Sequence, residues 1–417
     1  MKSAIIAVGT ELLFGKVVNT NAAYLSQELN DMGIDVIYHY TMGDNPGRLR
    51  RVLDFAMQDC DLVLCTGGLG PTEDDLTKET ISEFFGEKLV LNQEAMDSMM
   101  RFFETLNLKF TENNLKQAYM PEHSTVFQNG AGTAPGFAAE KDGKYIICMP
   151  GVPREMKHMF QHEVKPYLMK LSDANIYSRS LKVFGLGESM VETRLLHLID
   201  GQTDPTIATY AKEGEVEVRI TSKRKTLEEA SQAADAMVDE VLEAIGTFVY
   251  STEGKEIYEE LAERLFSKNI TISCCESPTA GLFASALAKV PGISKVFDRG
   301  LVVYSTESKI NEQLLDKESP DIIAPYGEAA ASEMALNLQK KTGSRLCVAA
   351  TGVAGPESVG ETKPGSYCIS VIYDGVQTTK SFYHNGRTRQ MNRDFMTLTM
   401  FDMLIRVIDG TETINVW

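Results

Sequence analysis

The 417-residue sequence lacks the features that mark a secreted, membrane-spanning or disulfide-bonded protein. Its seven cysteines are odd in number and form no Cys-x-x-Cys pair, which favours buried thiols over disulfides or a zinc site. No apolar run reaches transmembrane length. The N-terminal stretch MKSAIIAVGTELLFG is interrupted by Gly9 and predicts a first strand rather than a signal peptide. We therefore expect a cytoplasmic protein that does not bind membranes.

An excess of positive charge is also lacking. The chain has 41 Lys and Arg residues against 58 Asp and Glu residues, a formal net charge of −17. A large nucleic-acid interface needs clustered Lys and Arg, so we expect no direct contact with nucleic acid. The 43% hydrophobic and 24% charged residues are ordinary for a globular protein, and the length predicts two to four domains of about 100–200 residues each.

Residues 1–165 alternate strand and helix patterns. Apolar strands separated by amphipathic helices indicate a mostly parallel sheet with helices on both faces. The predicted strands are residues 4–8, 35–40, 62–65 and 145–149, and the predicted helices are residues 21–32, 47–58 and 76–85.

Residues 166–250 have a different pattern. The segment TIATYAKEGEVEVRITSK alternates apolar and polar residues, as a half-exposed strand or hairpin does. An amphipathic helix follows, and Thr226 and Glu229 form a capping box at its start. We predict a small α+β connector domain.

Residues 251–417 return to the α/β pattern, with a hairpin and a long closing helix at the end. The predicted strands are 271–275, 301–304 and 346–350, and the predicted helices are 256–266, 328–340, one from residue 279 and one from about residue 389. We therefore predict an α/β protein with two three-layer α/β domains, 1–165 and 251–417, joined by the small α+β domain 166–250.

The stretch TGGLGP at residues 66–71 combines the parts of an anion-binding site. It follows a predicted strand and precedes a predicted helix, so free backbone N–H groups and the helix dipole favour a bound anion there. It lacks the Gly-Lys-Ser/Thr ending of a Walker motif. We expect these residues to contact the phosphates of a substrate: Thr66, Gly67, Gly68, Gly70, Pro71 and Thr72.

Three carboxylates crowd the same turn: Glu73, Asp74 and Asp75. A carboxylate beside a diphosphate is repulsive unless a cation lies between them, and a hydrated Mg²⁺-type ion takes one or two protein carboxylates with water and phosphate oxygens. Asp75 or Asp74 would hold this ion, and Asp44, in MGDNPG, would reach the same sheet edge. The ion would polarise a phosphorus–oxygen bond or activate water. Alternatively, the acids only favour the helix dipole.

Six segments occur in order along residues 1–165: AVGTELLFGKVVNTNAAYLSQELNDMGIDV, MGDN, TGGLGPTEDDLTKET, TENNLKQAYMPEHS, GTAPGF and MPGVPREMKHMF. This region resembles the N-terminal domain of the CinA family (competence/damage-inducible protein A), which has the molybdopterin-binding fold. The resemblance implies hydrolysis of ADP-ribose to AMP and ribose 5-phosphate with a divalent metal (Mg²⁺, Mn²⁺ or Co²⁺). It also places Asp44 and Asp75 at the two acidic active-site positions of the molybdopterin-binding relatives. Four further residues lie in a family motif or, alternatively, on a solvent-facing loop: Asn113, Asn114, Lys116 and Gln117.

A second candidate site begins at Ser277, between a predicted apolar strand and a helix of small residues. At a helix N-terminus, backbone N–H groups can stabilise an oxyanion. None of the six histidines is near in sequence, so a lysine kept neutral by desolvation could serve as the base. Lys309, Tyr304 and Thr351 follow or end neighbouring predicted strands and could converge with Ser277 at one sheet edge. The alternative is a serine cap, an edge tyrosine and a surface lysine.

The pattern CESPTAG, RGLVVYSTESK, ATGVAGP and KPGS resembles the C-terminal domain of the CinA family, the nicotinamide-nucleotide amidase type. This resemblance implies deamidation of nicotinamide mononucleotide (NMN) to nicotinate mononucleotide and ammonia, without a cofactor. It makes Ser277 the nucleophile and Tyr304, Lys309 and Thr351 the other catalytic residues. Residues of the surrounding loops and of the last helix are expected to bind the substrate: Thr279, Gly281, Gly352, Gly355, Arg389 and Arg393. For the arginines, which could clamp a phosphate, the alternative is a solvated helix face.

The sequence departs from the family around the nucleophile. The family reads Glu-Ser-Cys-Thr-Gly-Gly, whereas this chain reads ESPTAG at residues 276–281. Pro278 removes a backbone N–H, and Ala280 restricts φ where glycine is free. Gly327 stands where the family has a serine. These changes leave open whether the C-terminal domain is an amidase or a catalytically impaired interaction module.

The resemblance covers the whole chain and implies a two-site hydrolase of pyridine-nucleotide by-products. We expect ADP-ribose and NMN as its small-molecule partners and a homodimer as its assembly. A molybdopterin-binding module is the alternative for the N-terminal domain. The methionine-rich closing helix is expected to be core or dimer surface rather than a site.

Overall fold

The structure, a computed structural model, describes residues 1–107, 109–171, 175–318, 325–384 and 386–412. The chain forms two compact units: Met1–Tyr177 with Lys223–Ala230, and Ser178–Ser222 with Ser231–Trp417.

The first unit is built on a mostly parallel sheet. Its strands are β1 (Lys2–Val8), β2 (Asp35–Met42), β3 (Leu62–Thr66), β4 (Leu89–Leu91), β5 (Tyr119–Pro121), β6 (Thr125–Phe127), β7 (Gly136–Lys141) and β8 (Lys144–Met149). Six of them form one sheet in the order β2-β1-β3-β8-β7-β6, and β4 pairs with β5. The four predicted strands are confirmed as the parallel members of this sheet, β1, β2, β3 and β8. The other four strands were not predicted.

Helices cover both faces of this sheet. They are α1 (Thr10–Leu13), α2 (Thr20–Asp31), α3 (Pro46–Asp59), α4 (Thr77–Phe85), α5 (Gln93–Thr105), α6 (Pro153–Met159) and α7 (Lys165–Leu171), with a 3₁₀ turn at Glu112–Ala118 and a π-helical turn at Phe160–Val164. Successive side chains of a strand point to opposite faces. In β1, Ile6 therefore packs in a cluster with Leu53 of α3, whereas Ile5 packs with Leu25 of α2. The result is the predicted three-layer arrangement.

A four-stranded sheet follows the first large sheet in the chain. Its strands are β9 (Asn175–Phe184), β10 (Thr206–Lys212), β11 (Glu215–Arg224) and β12 (Val249–Ser251), and its helices are α8 (Glu188–Ile199) and α9 (Leu227–Ile245). The strand order is β10-β11-β9-β12. The predicted hairpin is confirmed as the antiparallel pair of β10 and β11, with alternate residues of β11 buried from Val216 to Ser222. One hydrogen bond of the predicted capping box is also present, since the backbone N–H of Glu229 donates to Oγ1 of Thr226 at 3.2 Å.

The second unit contains another three-layer arrangement. Its strands are β13 (Ile272–Glu276), β14 (Phe297–Val302), β15 (Leu346–Val353), β16 (Ser366–Tyr373) and β17 (Val376–Tyr383), and its helices are α10 (Ile257–Ser267), α11 (Leu282–Leu287), α12 (Thr306–Asn311), α13 (Glu328–Thr342) and α14 (Arg389–Asp409). The strand order is β14-β13-β15-β16-β17. On one face Cys274 of β13 packs with Phe401 of α14, and on the other Cys275 packs with Met334 of α13. The predicted α/β fold class is confirmed.

Two of the boundaries that differ from the prediction lie beside the second candidate site. The strand predicted at 301–304 is β14, which ends at Val302, because its partner strand β13 ends opposite it at Glu276. Tyr304 therefore lies beyond the strand rather than at its end. The helix predicted from residue 279 begins only at Leu282.

α14 and the cysteines contribute buried residues to the fold. Three of the four methionines of α14 are core residues, since Met396, Met400 and Met403 are buried, and Met391 is half-buried. Neither α14 nor any other helix in the described ranges is long and apolar enough to cross a membrane. All seven cysteines are buried free thiols, as predicted: Cys60, Cys65, Cys148, Cys274, Cys275, Cys347 and Cys368.

Candidate active sites

The turn after β3 forms one wall of a cavity of about 590 Å³ at the carboxyl ends of the parallel strands. Gly67 and Gly68 have φ of +99° and +67°, which favours glycine. A Cβ atom on Gly67 would lie 2.0 Å from the carbonyl oxygen of Val8, and one on Gly68 would lie 2.0 Å from Oγ1 of Thr77. Glycine is therefore required at Gly67 by the backbone of Val8 and at Gly68 by the side chain of Thr77.

The turn, rather than the start of α4, lines this cavity. Thr66, Gly67, Gly68, Gly70 and Pro71 are lining residues, together with Leu69. The backbone N–H of Thr77, the first residue of α4, donates to the carbonyl oxygen of Gly68 at 3.2 Å and is thus already used. A bound anion would therefore meet the glycine turn.

The structure brings the three predicted metal-holding carboxylates to the same cavity, which Asp44, Asp74 and Asp75 all line. Thr72 Oγ1 and its backbone N–H, the latter at 3.1 Å, donate to Oδ2 of Asp75. Thr10 holds Asp44 in the same way, with its backbone N–H 3.2 Å and Oγ1 2.9 Å from Oδ2. Thr72, which we expected to contact substrate, is therefore the residue that orients Asp75.

Lys116 stabilises the acidic turn through hydrogen bonds with its backbone. Nζ of Lys116 donates to the carbonyl oxygens of Thr72 at 3.0 Å and Asp75 at 2.5 Å, and it lies 3.5 Å from a carboxylate oxygen of Glu79. Nζ of Lys78 donates to the carbonyl oxygen of Lys116 at 2.7 Å. Burial lowers the pKa of Lys78 to about 8. The turn that carries Asp75 is thus fixed at both ends by one ammonium group.

Two of the other three residues of the same motif, Asn114 and Gln117, have hydrogen-bond partners within the protein. Gln117 lines the cavity, and its Nε2 donates to the carbonyl oxygen of Leu69 at 3.4 Å. Asn114 caps the 3₁₀ turn, because the backbone N–H of Thr111 donates to its Oδ1 at 3.1 Å. Asn113 is exposed.

Asn21 and Glu155 are among the residues of the cavity wall that sequence reasoning missed. Asn21 of α2 is buried, and its Nδ2 donates to the carbonyl oxygen of Gly151 at 2.8 Å, which joins α2 to the loop after β8. Glu155 of α6 also lines the cavity. Their partners are far away in sequence, so no local pattern identifies them.

The cavity fits an oxygen-coordinated cation better than a closed protein metal site. In the described part of the chain, no group of three or more His, Cys, Asp or Glu side chains could hold a metal ion. Mg²⁺ needs only one or two carboxylates and keeps several waters. Asp44 and Asp75 each use Oδ2 for hydrogen bonds within the protein, so Oδ1 of each has no partner among the described residues.

In the second unit, Ser277 follows the buried strand β13 directly. Its backbone N–H donates to the carbonyl oxygen of Ala350 at 3.1 Å, which continues the pairing of β13 with β15. Ser277 is 3% exposed. None of the described side chains forms a hydrogen bond with its hydroxyl group, so neither Lys309 nor Tyr304 contacts it in this way.

The N-terminus of α11 is occupied by a carboxylate, contrary to our expectation of free oxyanion donors beside Ser277. Glu276, which is 1% exposed, accepts hydrogen bonds from the backbone N–H groups of Gly281 at 3.0 Å, Phe283 at 3.1 Å and Ala284 at 2.9 Å. A buried carboxylate is stabilised by such charge-assisted bonds. The donors of α11 therefore hold Glu276 in place and are not directed at a substrate of Ser277.

The segment that departs from the family pattern has an unusual backbone. Ala280 has φ of +51°, the left-handed region that costs a non-glycine residue about 1–2 kcal/mol. Gly281 follows with φ of +93°. The carbonyl oxygens of Pro278 and Thr279 accept hydrogen bonds from Arg393, at 3.2 Å from Nε and 2.9 Å from Nη2.

Lys309 is buried and has two hydrogen-bond acceptors. It is 1% exposed, and its Nζ donates to Oγ1 of Thr351 at 3.0 Å and to the carbonyl oxygen of Pro325 at 3.2 Å. Burial lowers the pKa of Lys309 to about 8. The predicted desolvated lysine is therefore present, and it contacts the predicted Thr351.

Tyr304 is joined to α14 by an arginine. It is 55% exposed, and its hydroxyl oxygen accepts a hydrogen bond from Arg389, which also donates to the carbonyl oxygen of Gly355. Gly352 is in β15, directly after Thr351, where a Cβ atom would lie 2.5 Å from the carbonyl oxygen of Ser366. Arg389 and Arg393 thus bind the loops around the candidate site, rather than forming a solvated helix face.

Three family models match the chain. They are "Probable molybdopterin binding domain" at residues 4–170, "Damage-inducible protein CinA KH domain" at residues 178–251 and "CinA C-terminal domain" at residues 254–408. A CinA-like protein of Dictyoglomus turgidum is 44% identical over 410 residues, 97% of this chain and 99% of that protein. A competence-damage inducible protein of Acetivibrio thermocellus is 43% identical over 408 residues, 98% of this chain and 99% of that protein.

A solved structure of a similar protein covers part of the chain. It is the protein CinA, with unknown function, from Thermoplasma acidophilum, which is 32% identical. The match covers 40% of this chain and 96% of that chain, with a TM-score of 0.37.

Proposed function

The chain belongs to the CinA family, and on that premise we propose that it is a two-site hydrolase of pyridine-nucleotide by-products. The N-terminal site (1–165) hydrolyses ADP-ribose to AMP and ribose 5-phosphate with a divalent metal, and the C-terminal site (251–417) deamidates NMN to nicotinate mononucleotide and ammonia. Residues 166–250 connect them in the sequence.

The proposal for the first site depends on one observation, the shared cavity of a glycine turn and three carboxylates. The backbone N–H of Gly68 would bind the diphosphate, since that of Gly67 already donates to the carbonyl oxygen of Met149 at 3.0 Å, while Lys116 keeps the turn of Asp75 in place. Asp44, Asp74 and Asp75 would hold a cation such as Mg²⁺, Mn²⁺ or Co²⁺. When bound, such an ion offsets the charge repulsion and polarises a phosphorus–oxygen bond.

The buried amine of Lys309, with its lowered pKa, supports amidase chemistry at the second site. The hydroxyl oxygen of Ser277 would attack the carboxamide carbon of NMN, its proton would pass to a neutral base, and the amide nitrogen would leave as ammonia. Water would then hydrolyse the acyl-enzyme ester. Lys309 would supply the base and Thr351 would orient it. Tyr304 would be the fourth catalytic residue, and Arg389 and Arg393 would bind the nucleotide.

One experiment tests both proposed activities. The purified protein is offered ADP-ribose and NMN separately, with and without a chelator such as EDTA, and AMP and ammonia are measured. We expect AMP formation to need the divalent metal and ammonia release to be unaffected by the chelator. The absence of AMP with every divalent metal would contradict the proposed ADP-ribose hydrolysis. The absence of ammonia would contradict the proposed NMN deamidation.

A second candidate for the C-terminal domain is a catalytically impaired interaction module. Pro278 lacks an N–H directly after Ser277, Ala280 has a positive φ, and Glu276 occupies the amides of α11. The missing N–H of Pro278 and the occupied amides of α11 weaken oxyanion stabilisation, and loss of one such donor costs about 3 kcal/mol in the transition state. Absent ammonia release in a folded protein would favour this module.

For the N-terminal domain, the alternative is molybdopterin binding. Binding of a pterin without turnover of ADP-ribose would support it. We propose a homodimer without direct contacts to nucleic acid, which sedimentation and a salt-dependent duplex-binding assay would test.

A further inference from the structure

Glu155 lines the candidate pyrophosphatase cavity from a different wall than the metal-holding carboxylates. Asp44 follows β2, and Asp74 and Asp75 follow β3, whereas Glu155 lies in the first turn of α6, after β8. β8 is the neighbour of β3 in the sheet, so its following helix begins at the same edge. A substrate in contact with the glycine turn would therefore lie within the same cavity as Glu155.

The carboxylate of Glu155 is held in a fixed orientation. Nδ2 of Asn129, a residue only 6% exposed, donates to Oε2 of Glu155 at 2.7 Å and to the carbonyl oxygen of Ala134 at 2.9 Å. Oδ1 of Asn129 accepts from the backbone N–H of Ala131 at 3.1 Å, which fixes the amide. Gly132 provides the space, because a Cβ atom there would lie 2.1 Å from the carboxylate.

One oxygen of this carboxylate remains available. Oε2 is used by Asn129, whereas Oε1 has no hydrogen-bond partner among the described residues. Glu11 lines the same cavity, but no described residue forms a hydrogen bond with its carboxylate. A fixed carboxylate with a free oxygen is the arrangement that general-base catalysis needs, because the base must lie within hydrogen-bond distance of the proton that it accepts.

The environment also makes Glu155 a stronger base than Asp74. Burial raises the pKa of Glu155, and the opposing effects of Asn129 and Arg154 are smaller. In contrast, hydrogen bonds from Thr72 and from its own backbone lower the pKa of Asp74. Carboxylates that hold a cation are also poor proton acceptors, because the cation stabilises their charged form.

We propose that Glu155 is the general base of ADP-ribose hydrolysis, an inference that rests on the proposed pyrophosphatase function. Oε1 accepts a proton from a water molecule as the water oxygen forms a bond to one phosphorus atom. The bridging phosphorus–oxygen bond breaks, and its electron pair leaves with the other phosphate monoester. Asn129 is the positioning residue that keeps Oε1 directed at this water.

The test compares Glu155→Gln with Glu155→Asp and with Glu83→Gln, which removes an exposed carboxylate from α4 outside the cavity. Gln keeps an oxygen for the bond from Asn129 and loses only the basic function. We expect Glu155→Gln to lower kcat for AMP formation by about 10²-fold or more, the usual contribution of a general base. KM for ADP-ribose and the affinity for Mn²⁺, measured by electron paramagnetic resonance, should stay unchanged, and Glu155→Asp should retain part of kcat.

Three different results would overturn the inference that Glu155 is the general base. If the wild type releases AMP and Glu155→Gln keeps its full kcat, Glu155 is not the base. If Glu155→Gln instead weakens Mn²⁺ binding in proportion to activity, Glu155 is a metal ligand and the inference is also overturned. A wild type that binds Mn²⁺ and never releases AMP overturns the proposed function, and this inference with it.

Discussion

Nζ of Lys309 lies 3.0 Å from Oγ1 of Thr351, at a position where the lysine side chain is 1% exposed. The hydroxyl of Thr351 donates in turn to the carbonyl oxygen of Pro325 at 2.6 Å. The ammonium group therefore has oxygen partners but no carboxylate among the described residues. Burial without an opposite charge disfavours the charged form, which is why the pKa of Lys309 is lowered to about 8.

This buried charge should reduce stability at neutral pH, and Lys309→Met should reveal the cost. The pKa in the folded state lies below that in the unfolded state, so the unfolded chain binds more protons between the two values and wild-type stability rises with pH there. We expect the free energy of unfolding of Lys309→Met, relative to wild type, to be larger at pH 7 than at pH 11 by about 3 kcal/mol, so that the variant is relatively more stable at pH 7. Urea denaturation of both proteins at the two pH values measures this difference.

Lys295→Met is the matched control, because Lys295 is exposed. Its stability relative to wild type should not depend on pH. A pH-independent difference for Lys309→Met as well would mean that Lys309 titrates as an ordinary lysine, and the proposed neutral base would lose its support.

Ser277→Ala should remove ammonia release from NMN and leave AMP formation from ADP-ribose intact. The hydroxyl is the only nucleophilic group that the substitution removes, and loss of a catalytic serine lowers kcat by on the order of 10³-fold or more. Ammonia and AMP are measured on the same preparation. Ser285→Ala, on the exposed side of α11, is the control. Ammonia release at the wild-type rate in Ser277→Ala would exclude that serine as the nucleophile.

The long buried strands could be predicted from sequence, because their residues are apolar on both faces. β1 and β3 are examples, with runs of residues that are almost all buried. β4, β5 and β6 have three residues each, too few to show a period of two. The end of β14 was predicted two residues late because its apolar run continues to Tyr304, while pairing stops where β13 stops.

The residues that support the sites could not be predicted in the same way. Asp44 and Asp75 share a cavity because parallel strands end at one edge, which topology alone predicts. Glu276 and Glu155 depend on contacts that exist only in the folded chain. Glu276 is a carboxylate at the end of a buried strand, and only the late start of α11 makes its three backbone donors available.

Ala280→Gly should stabilise the protein slightly. With φ of +51°, Ala280 carries a strain of about 1–2 kcal/mol, which glycine relieves while it adds about 0.5–1 kcal/mol of unfolded-state entropy. We expect a gain of about 1 kcal/mol or less in the free energy of unfolding, measured by urea denaturation. Ala286→Gly, inside α11, should have the opposite sign. If both substitutions destabilise equally, the loop after Ser277 is not strained at Ala280.

Asp75→Asn should abolish AMP formation from ADP-ribose while NMN turnover persists. The amide keeps an oxygen that can accept the hydrogen bonds from Thr72, so the turn should stay folded, but the charge that would hold the cation is lost. Because a bound cation contributes several kcal/mol to the transition state, the expected loss is on the order of 10²-fold or more. The measurement is AMP and ammonia release over a range of Mg²⁺ and Mn²⁺ concentrations.

The control for this substitution is Asp54→Asn, which removes one exposed carboxylate from α3 and should change neither activity. The thermal midpoint of each variant establishes that the protein is folded. If a folded Asp75→Asn loses both activities, the two sites are not independent, since the substitution lies in the first unit and NMN is assigned to the second. If it keeps full AMP formation at every metal concentration, Asp75 does not hold the ion. Asp44 would then have to serve, because Thr10 fixes it at the same cavity.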